Sequence, residues 1–157
     1  MAQPSIQEQI PGNRCYACGP ASKNGLHIRS YWDGSQGLCD WQPPDSRFTA
    51  GPPQILNGGI VATVIDCHAV CTAIADAYQS EGRPIGTGQL IWYVTGSLKI
   101  TYLRPTPNNQ ILSLSARVKE KTGRKSIVGC SLSVGGLECA TAEIIAVRVQ
   151  DAWAKSS

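Results

Sequence analysis

Residues 57–78 read NGGIVATVIDCHAVCTAIADAY, and the fold turns on this stretch. Ile60, Val61, Val64, Ile65, Val70, Cys71, Ile74 and Ala75 recur at spacings of three, four and seven, the period of an α-helix. Asn57 is a good N-cap. The apolar positions run nearly all round, which predicts a helix buried at the centre of the core rather than laid on a surface. It is the one strong helix in the chain. Strands are predicted downstream at Leu90–Leu103, Gln110–Glu120, Ser126–Val134 and Leu137–Val149. They are separated by Pro105 and Pro107, by Thr122-Gly123, and by Gly135-Gly136, a strong hairpin signal. The short connections imply an antiparallel meander. Upstream, Leu26–Trp32 and Gly37–Trp41 flank the turn pair Asp33-Gly34. Prolines at 43, 44, 52 and 53 make residues 42–56 a long loop, and residues 79–89 form another. A single helix apolar on all sides must be wrapped by one strongly curved antiparallel sheet, so the fold class is α+β. The chain divides into a loose N-terminal arm at 1–22, one domain at 23–150 and a C-terminal tail at 151–157.

Composition narrows the function. With 157 residues, 42% hydrophobic and 16% charged, the chain is one ordinary domain and not a disordered one. A net charge of +3 is too mild for a protein that coats nucleic acid. No apolar run approaches 18 residues, so no membrane span is expected, and the N-terminus does not read as a signal peptide. Seven scattered cysteines, an odd number, fit buried reduced thiols in a cytoplasmic protein better than a disulfide framework.

Several chemistries are excluded by motif. The chain lacks G-x-S-x-G, G-x-G-x-x-G, a P-loop and H-E-x-x-H, and it has only two histidines, His27 and His68. Cys15-x-x-Cys18 needs two more ligands to hold zinc, with Cys39 and His27 as candidates. Their spacing is irregular, and the expectation is a partly ordered arm carrying two thiols, with no metal and no cofactor.

Two features of the helix point to chemistry. Asp66 sits between Ile65 and Cys67, where a carboxylate is costly unless paired or functional, and where loss of hydration raises its pKa as a general base requires. Gly58-Gly59 places bare N–H groups at the positive helix end, suited to an oxyanion. Gly59 and Asp66 project from nearly the same face but about 10 Å apart along the axis at ~1.5 Å per residue. One helix cannot bring both to a single carbonyl carbon. Two antiparallel helices across a two-fold axis can, each site taking its glycine from one subunit and its Asp from the other.

The chain resembles a known family at C-Y-A-C-G-P (15–20), N-G-L (24–26), Asn57-Gly58-Gly59-Ile60 with Asp66, T-G-S-L-K-I-T-Y-L-R-P (95–105) and Gly123-Arg124-Lys125. These pieces are similar to hotdog-fold acyl-CoA thioesterases of the phenylacetate-pathway and thioesterase-superfamily-member type, over roughly residues 15–149. The resemblance implies a curved antiparallel sheet around a central helix, no cofactor, and a dimer or dimer of dimers. It implies that Gly58 supplies the oxyanion-hole amide and Asp66 the base or nucleophile. Thr95 falls where relatives carry a Ser or Thr that positions the carboxylate or the water. Asn57 stands where relatives usually carry His, and its amide is expected to donate towards the thioester carbonyl. Gly59, Arg104, Arg124 and Lys125 are the candidates for binding substrate, the three basic residues through coenzyme A phosphates. His68 and Cys71 are read as a satisfied core histidine and a buried thiol. The competing readings are an acyl-CoA-binding or sensor domain without catalysis, a dehydratase or hydratase, which would need a catalytic His, and a zinc interaction module.

Overall fold

The computed structural model describes residues 2–150, so the C-terminal tail read at 151–157 lies outside the described residues. Two short strands, β1 (Tyr31–Trp32) and β2 (Gly37–Trp41), precede the helix α1 (Gly58–Ser80). Four long strands follow: β3 (Tyr93–Tyr102), β4 (Leu112–Thr122), β5 (Lys125–Val134) and β6 (Leu137–Arg148). All pairings are antiparallel in one six-stranded sheet of order β1-β2-β4-β5-β6-β3. The sheet curves around the helix in the hotdog arrangement.

The helix is enclosed because its sequence leaves no polar face of useful width. Val61, Val64, Ile65, Ala69, Ala73, Ile74, Ala77 and Tyr78 are all buried. Ala69, Ala73 and Ala77 recur every four residues, and their small side chains let the helix lie close to the sheet. By length and composition α1 is apolar enough to cross a membrane, but most of it is buried inside the domain. The strands obey the complementary rule. β5 alternates almost perfectly between covered and more open positions, with Val128, Cys130, Leu132 and Val134 turned inward. Gly135 and Gly136, at φ of 58° and 80°, close the β5–β6 hairpin in a conformation that glycine adopts readily.

The simple meander expected downstream of the helix is corrected in one respect. β4, β5 and β6 do form a meander, but β3 pairs with β6 and β4 pairs with β2. The connection at 103–111 is nine residues long. It can reach about 30 Å at ~3.3 Å per residue, whereas three strand spacings need only about 14 Å. Pro105 and Pro107 keep it from continuing either ladder, and it crosses to the far half of the sheet, bonding to residues 54–56 on the way (Leu56 N–H to Thr106 O, 2.8 Å; Asn108 N–H to Gln54 O, 2.9 Å).

The described part of the arm, residues 2–22, is not loose. Ser5, Ile6, Gln7, Ile10, Ala17 and Cys18 are buried. A capping box starts the segment: the Ser5 N–H donates to Glu8 Oε2 (2.8 Å) and the Glu8 N–H to Ser5 Oγ (3.3 Å), framing a 3₁₀ turn at Gln7–Gln9. Gln7 then docks through a buried polar chain. Its Oε1 accepts from the Ser30 N–H (2.8 Å) and its Nε2 donates to Ser30 Oγ (3.1 Å). The Ser30 hydroxyl donates to His68 Nδ1 (2.8 Å), and His68 Nε2–H donates to the Gly37 carbonyl (3.1 Å). His68 is thus the satisfied core histidine. Burial pushes its pKa down to about 4, which keeps the ring neutral, and the acceptor-only Gly37 carbonyl fixes the tautomer.

This network predicts that Gln7→Ala lowers unfolding free energy by about 1–3 kcal/mol, because it orphans the buried Ser30 N–H. Urea denaturation should show a lower midpoint at unchanged slope. An unchanged midpoint would restore the loose-arm description.

Candidate active site

Asp66 lies on the second turn and a half of α1, half-buried at the edge of a cavity of about 540 Å³. Thr95, on β3, faces it across the helix–sheet interface and donates its hydroxyl proton to Asp66 Oδ1 at 2.6 Å. The structure therefore joins two residues that lie 29 positions apart in the sequence. Burial pushes the Asp66 pKa up, the Thr95 hydrogen bond opposes that shift, and the nearby Cys18 adds to it. Val70, Ile74, Trp92, Tyr93 and Val149 give the cavity a mainly apolar wall, suited to an acyl group.

A bulge aims Thr95. Along the β3–β6 ladder Thr95 pairs with Ala146 and Ser97 with Ile145, so Gly96 is an extra residue. Before it the odd positions Tyr93 and Thr95 turn to the helix side. After it the even positions Leu98 and Ile100 pack on the core.

Gly58 opens onto a different cavity, of about 450 Å³, shared with Val61, Tyr102, Leu103 and Arg104. Its carbonyl accepts from the Tyr102 hydroxyl (2.7 Å), a contact the sequence did not signal. Among the described residues nothing accepts from the Gly58 N–H. Asn57 is the N-cap: its Oδ1 accepts from the N–H groups of Gly59 (2.8 Å) and Ile60 (3.3 Å). The Gly59 amide is thereby committed to the cap, and the Gly58 amide is the one left at the positive helix end. Asn57 caps with its oxygen, which leaves its NH₂ for a donor role. Arg104 stands beside the Gly58 cavity, whereas Arg124 and Lys125 sit at the β4–β5 hairpin and line neither cavity.

The Cys15/Cys18 pair has partners that the sequence reading missed. Cys67 joins it from α1, its sulfur 3.7 Å from that of Cys15, and Cys71 lines the same cavity. Neither residue thought able to complete the pair does so. His27 bonds to the Lys23 carbonyl and Arg29, and Cys39 lies outside the cluster. The signal was present as Cys67 and Cys71, four apart on one helix face.

A thioesterase superfamily protein from Shewanella loihica superposes on this fold with a TM-score of 0.60, at 33% identity over 78% of this chain and 91% of that one. The chain belongs to the thioesterase superfamily. Two more distant members of the fold are a thioesterase of Haemophilus influenzae (12% identity, 85% of each chain, TM-score 0.66) and the E. coli PaaI protein from the phenylacetic acid degradation operon (15%, 80% of this chain and 81% of that one, 0.62). No family model matches the chain. For this thioesterase-superfamily chain, two variants separate the roles of the site residues. Thr95→Val removes a hydrogen bond to a charged group, worth about 1.5–3 kcal/mol, and should lower kcat on an acyl thioester roughly 10- to 100-fold without unfolding, with Thr95→Ser restoring most of it. Asn57→Asp keeps the cap oxygen but loses the donor; it should stay folded and lose kcat/KM. A kcat/KM equal to the parent's would reduce Asn57 to a cap.

Proposed function

We propose that the protein hydrolyses an acyl-CoA thioester to the free acid and coenzyme A. The observation that carries this reading is Asp66, half-buried and held by Thr95 at the edge of an apolar cavity. The acyl chain enters that cavity, the thioester carbonyl oxygen accepts a hydrogen bond from a Gly58 N–H, and the Asp66 carboxylate meets the carbonyl carbon. As base, Asp66 takes a proton from water as the hydroxyl oxygen bonds to the carbon. The C–S bond then breaks and the thiolate of coenzyme A receives the proton. As nucleophile, its oxygen bonds to the carbonyl carbon as the C–S bond breaks and the thiolate of coenzyme A leaves; water then hydrolyses the mixed anhydride, freeing the acid and the Asp66 carboxylate and supplying the proton that the thiolate takes up. Arg104, and Arg124 and Lys125 at the hairpin, are the candidates for the coenzyme's phosphates. The buried thiols of Cys39, Cys130 and Cys139 support a reducing, cytoplasmic setting.

The working unit in this reading is at least a dimer. In one chain Gly58 and Asp66 face separate cavities, which supports a site completed by a second copy. Among the described residues β3 is an edge strand paired only with β6, and Val94, Tyr102 and Leu103 on and just beyond it are about half exposed. An exposed apolar edge of this kind is suited to antiparallel pairing with its own copy.

Thiol release measured across short, long and aromatic acyl-CoAs tests the activity; the operon of the E. coli neighbour makes an arylacetyl group one to include. Asp66→Asn should lower turnover by ~10²-fold or more with folding intact, the size of a general-base contribution. Near-normal kcat would overturn the assignment. Gly58→Pro deletes the oxyanion donor and suits the fold: proline is tolerated at the first helical position, a Cβ there meets nothing nearer than 3.7 Å, and Asn57 at ψ 132° already has the conformation favoured before proline. Mixing the two inactive variants should restore activity on subunit exchange, since one site of each mixed dimer then carries neither lesion. No recovery in proven mixed dimers would place the whole site within one chain.

A further inference from the structure

Four of the seven cysteines converge from two parts of the chain. Cys15 and Cys18 come from the docked N-terminal segment, Cys67 and Cys71 from adjacent turns of α1. The sulfurs of Cys15, Cys18 and Cys67 lie within 4.8 Å of one another, and Cys71, outside that trio, stands one helical turn from Cys67. All four line one cavity. The Cys15–Cys67 separation of 3.7 Å is informative. Sulfurs held ~2.3 Å from a zinc ion at tetrahedral angles stand about 3.8 Å apart, whereas a disulfide brings them to ~2.05 Å.

The surrounding backbone holds these thiols in place. The Gly19 N–H donates to the Cys15 carbonyl (2.8 Å), closing a tight turn that sets both sulfurs on one side. A side chain on Gly19 would come within 2.5 Å of the Cys15 nitrogen and 2.6 Å of the Asn13 carbonyl, so only glycine fits. Asn13 Oδ1 accepts from the Cys15 N–H (3.1 Å), and the Arg29 guanidinium donates to the Cys18 carbonyl (3.0 Å). On the helix, a spacing of four puts Cys67 and Cys71 on the same face.

We propose that Cys15, Cys18, Cys67 and Cys71 form a four-thiolate zinc site that fastens the N-terminal segment to α1. Thiolates select soft or borderline ions, and four protein ligands leave no open position, so the ion is structural and takes no part in bond breaking. Its placement matters to the neighbouring carboxylate, because Asp66 precedes a ligand directly. The proposal is independent of which thioester, if any, the protein cleaves.

The test is metal content and spectrum. Protein purified under reducing conditions from zinc-supplemented cells should contain about 1 zinc ion per chain, a closed structural site. Cobalt(II) exchanged into it should give the visible bands of a tetrahedral site and the strong near-ultraviolet thiolate-to-cobalt absorption. Cys18→Ser and Cys71→Ser should each lower bound zinc by roughly tenfold or more under competition with a chelator. Cys130→Ser, remote from the cluster, should bind as the parent does. Chelation should lower the melting temperature of the parent, a readout that needs no foldable variant. Reduced parent protein that carries no zinc and gives no cobalt spectrum would overturn the site, as would a resting Cys15–Cys67 disulfide in metal-free protein. An unchanged cobalt spectrum in Cys71→Ser would overturn the four-thiolate assignment.

Discussion

The rest of the molecule depends on covering a helix that has no polar side. A helix of 23 residues with an apolar stripe could rest on a flat sheet, but α1 has buried side chains on several faces at once. The sheet must therefore curve, and a curved sheet around one helix still leaves the ends and one flank of the helix open. The N-terminal segment fills part of that opening, through Ile6 and Ile10 in the core and the chain Gln7–Ser30–His68–Gly37. The cavity beside Asp66 is another part of it. The cavity and the structural cover thus come from the same geometric shortfall.

The same enclosure sets the electrostatics around Asp66. A carboxylate on a central helix loses hydration whatever it does chemically, and Asp66 holds its proton more tightly for that reason. Thr95 partly offsets that shift with one short hydrogen bond and fixes which oxygen stays free. At the start of the helix, in a separate cavity, a backbone N–H stays free. Asn57 reaches past Gly58 to cap Gly59 and Ile60, which leaves the Gly58 N–H out of the cap.

The helix, the four long strands and the class of fold were legible because period and hairpin chemistry act locally. Asp66 and Gly58 were legible because each breaks a local rule, a charge in an apolar helix and glycine at a helix start. What the sequence obscured was mostly long-range. Ser5-x-x-Glu8 is a capping box that could have been read, but the docking of Gln7 on Ser30 depends on a fold in which residues 23 apart meet. The exchange of β3 with its expected neighbour depends on a connection long enough to cross, which composition marks only as a loop. Cys67 and Cys71 hid as apolar residues of the helix, since buried cysteine and buried alanine give the same periodic signal.

The bulge at Gly96 makes β3 a strand written in two phases. Tyr93 and Thr95 belong to one pleat and serve the cavity; Leu98 and Ile100 belong to the other and serve the core. Losing the one extra residue would merge the phases, and the strand would then have to choose. Kept in register at its core end, it would swing Thr95 to the outer face and strip Asp66 of its partner. Kept in register at its cavity end, it would turn Leu98 and Ile100 out to solvent. A single backbone insertion is therefore what allows one strand to be both wall and working surface.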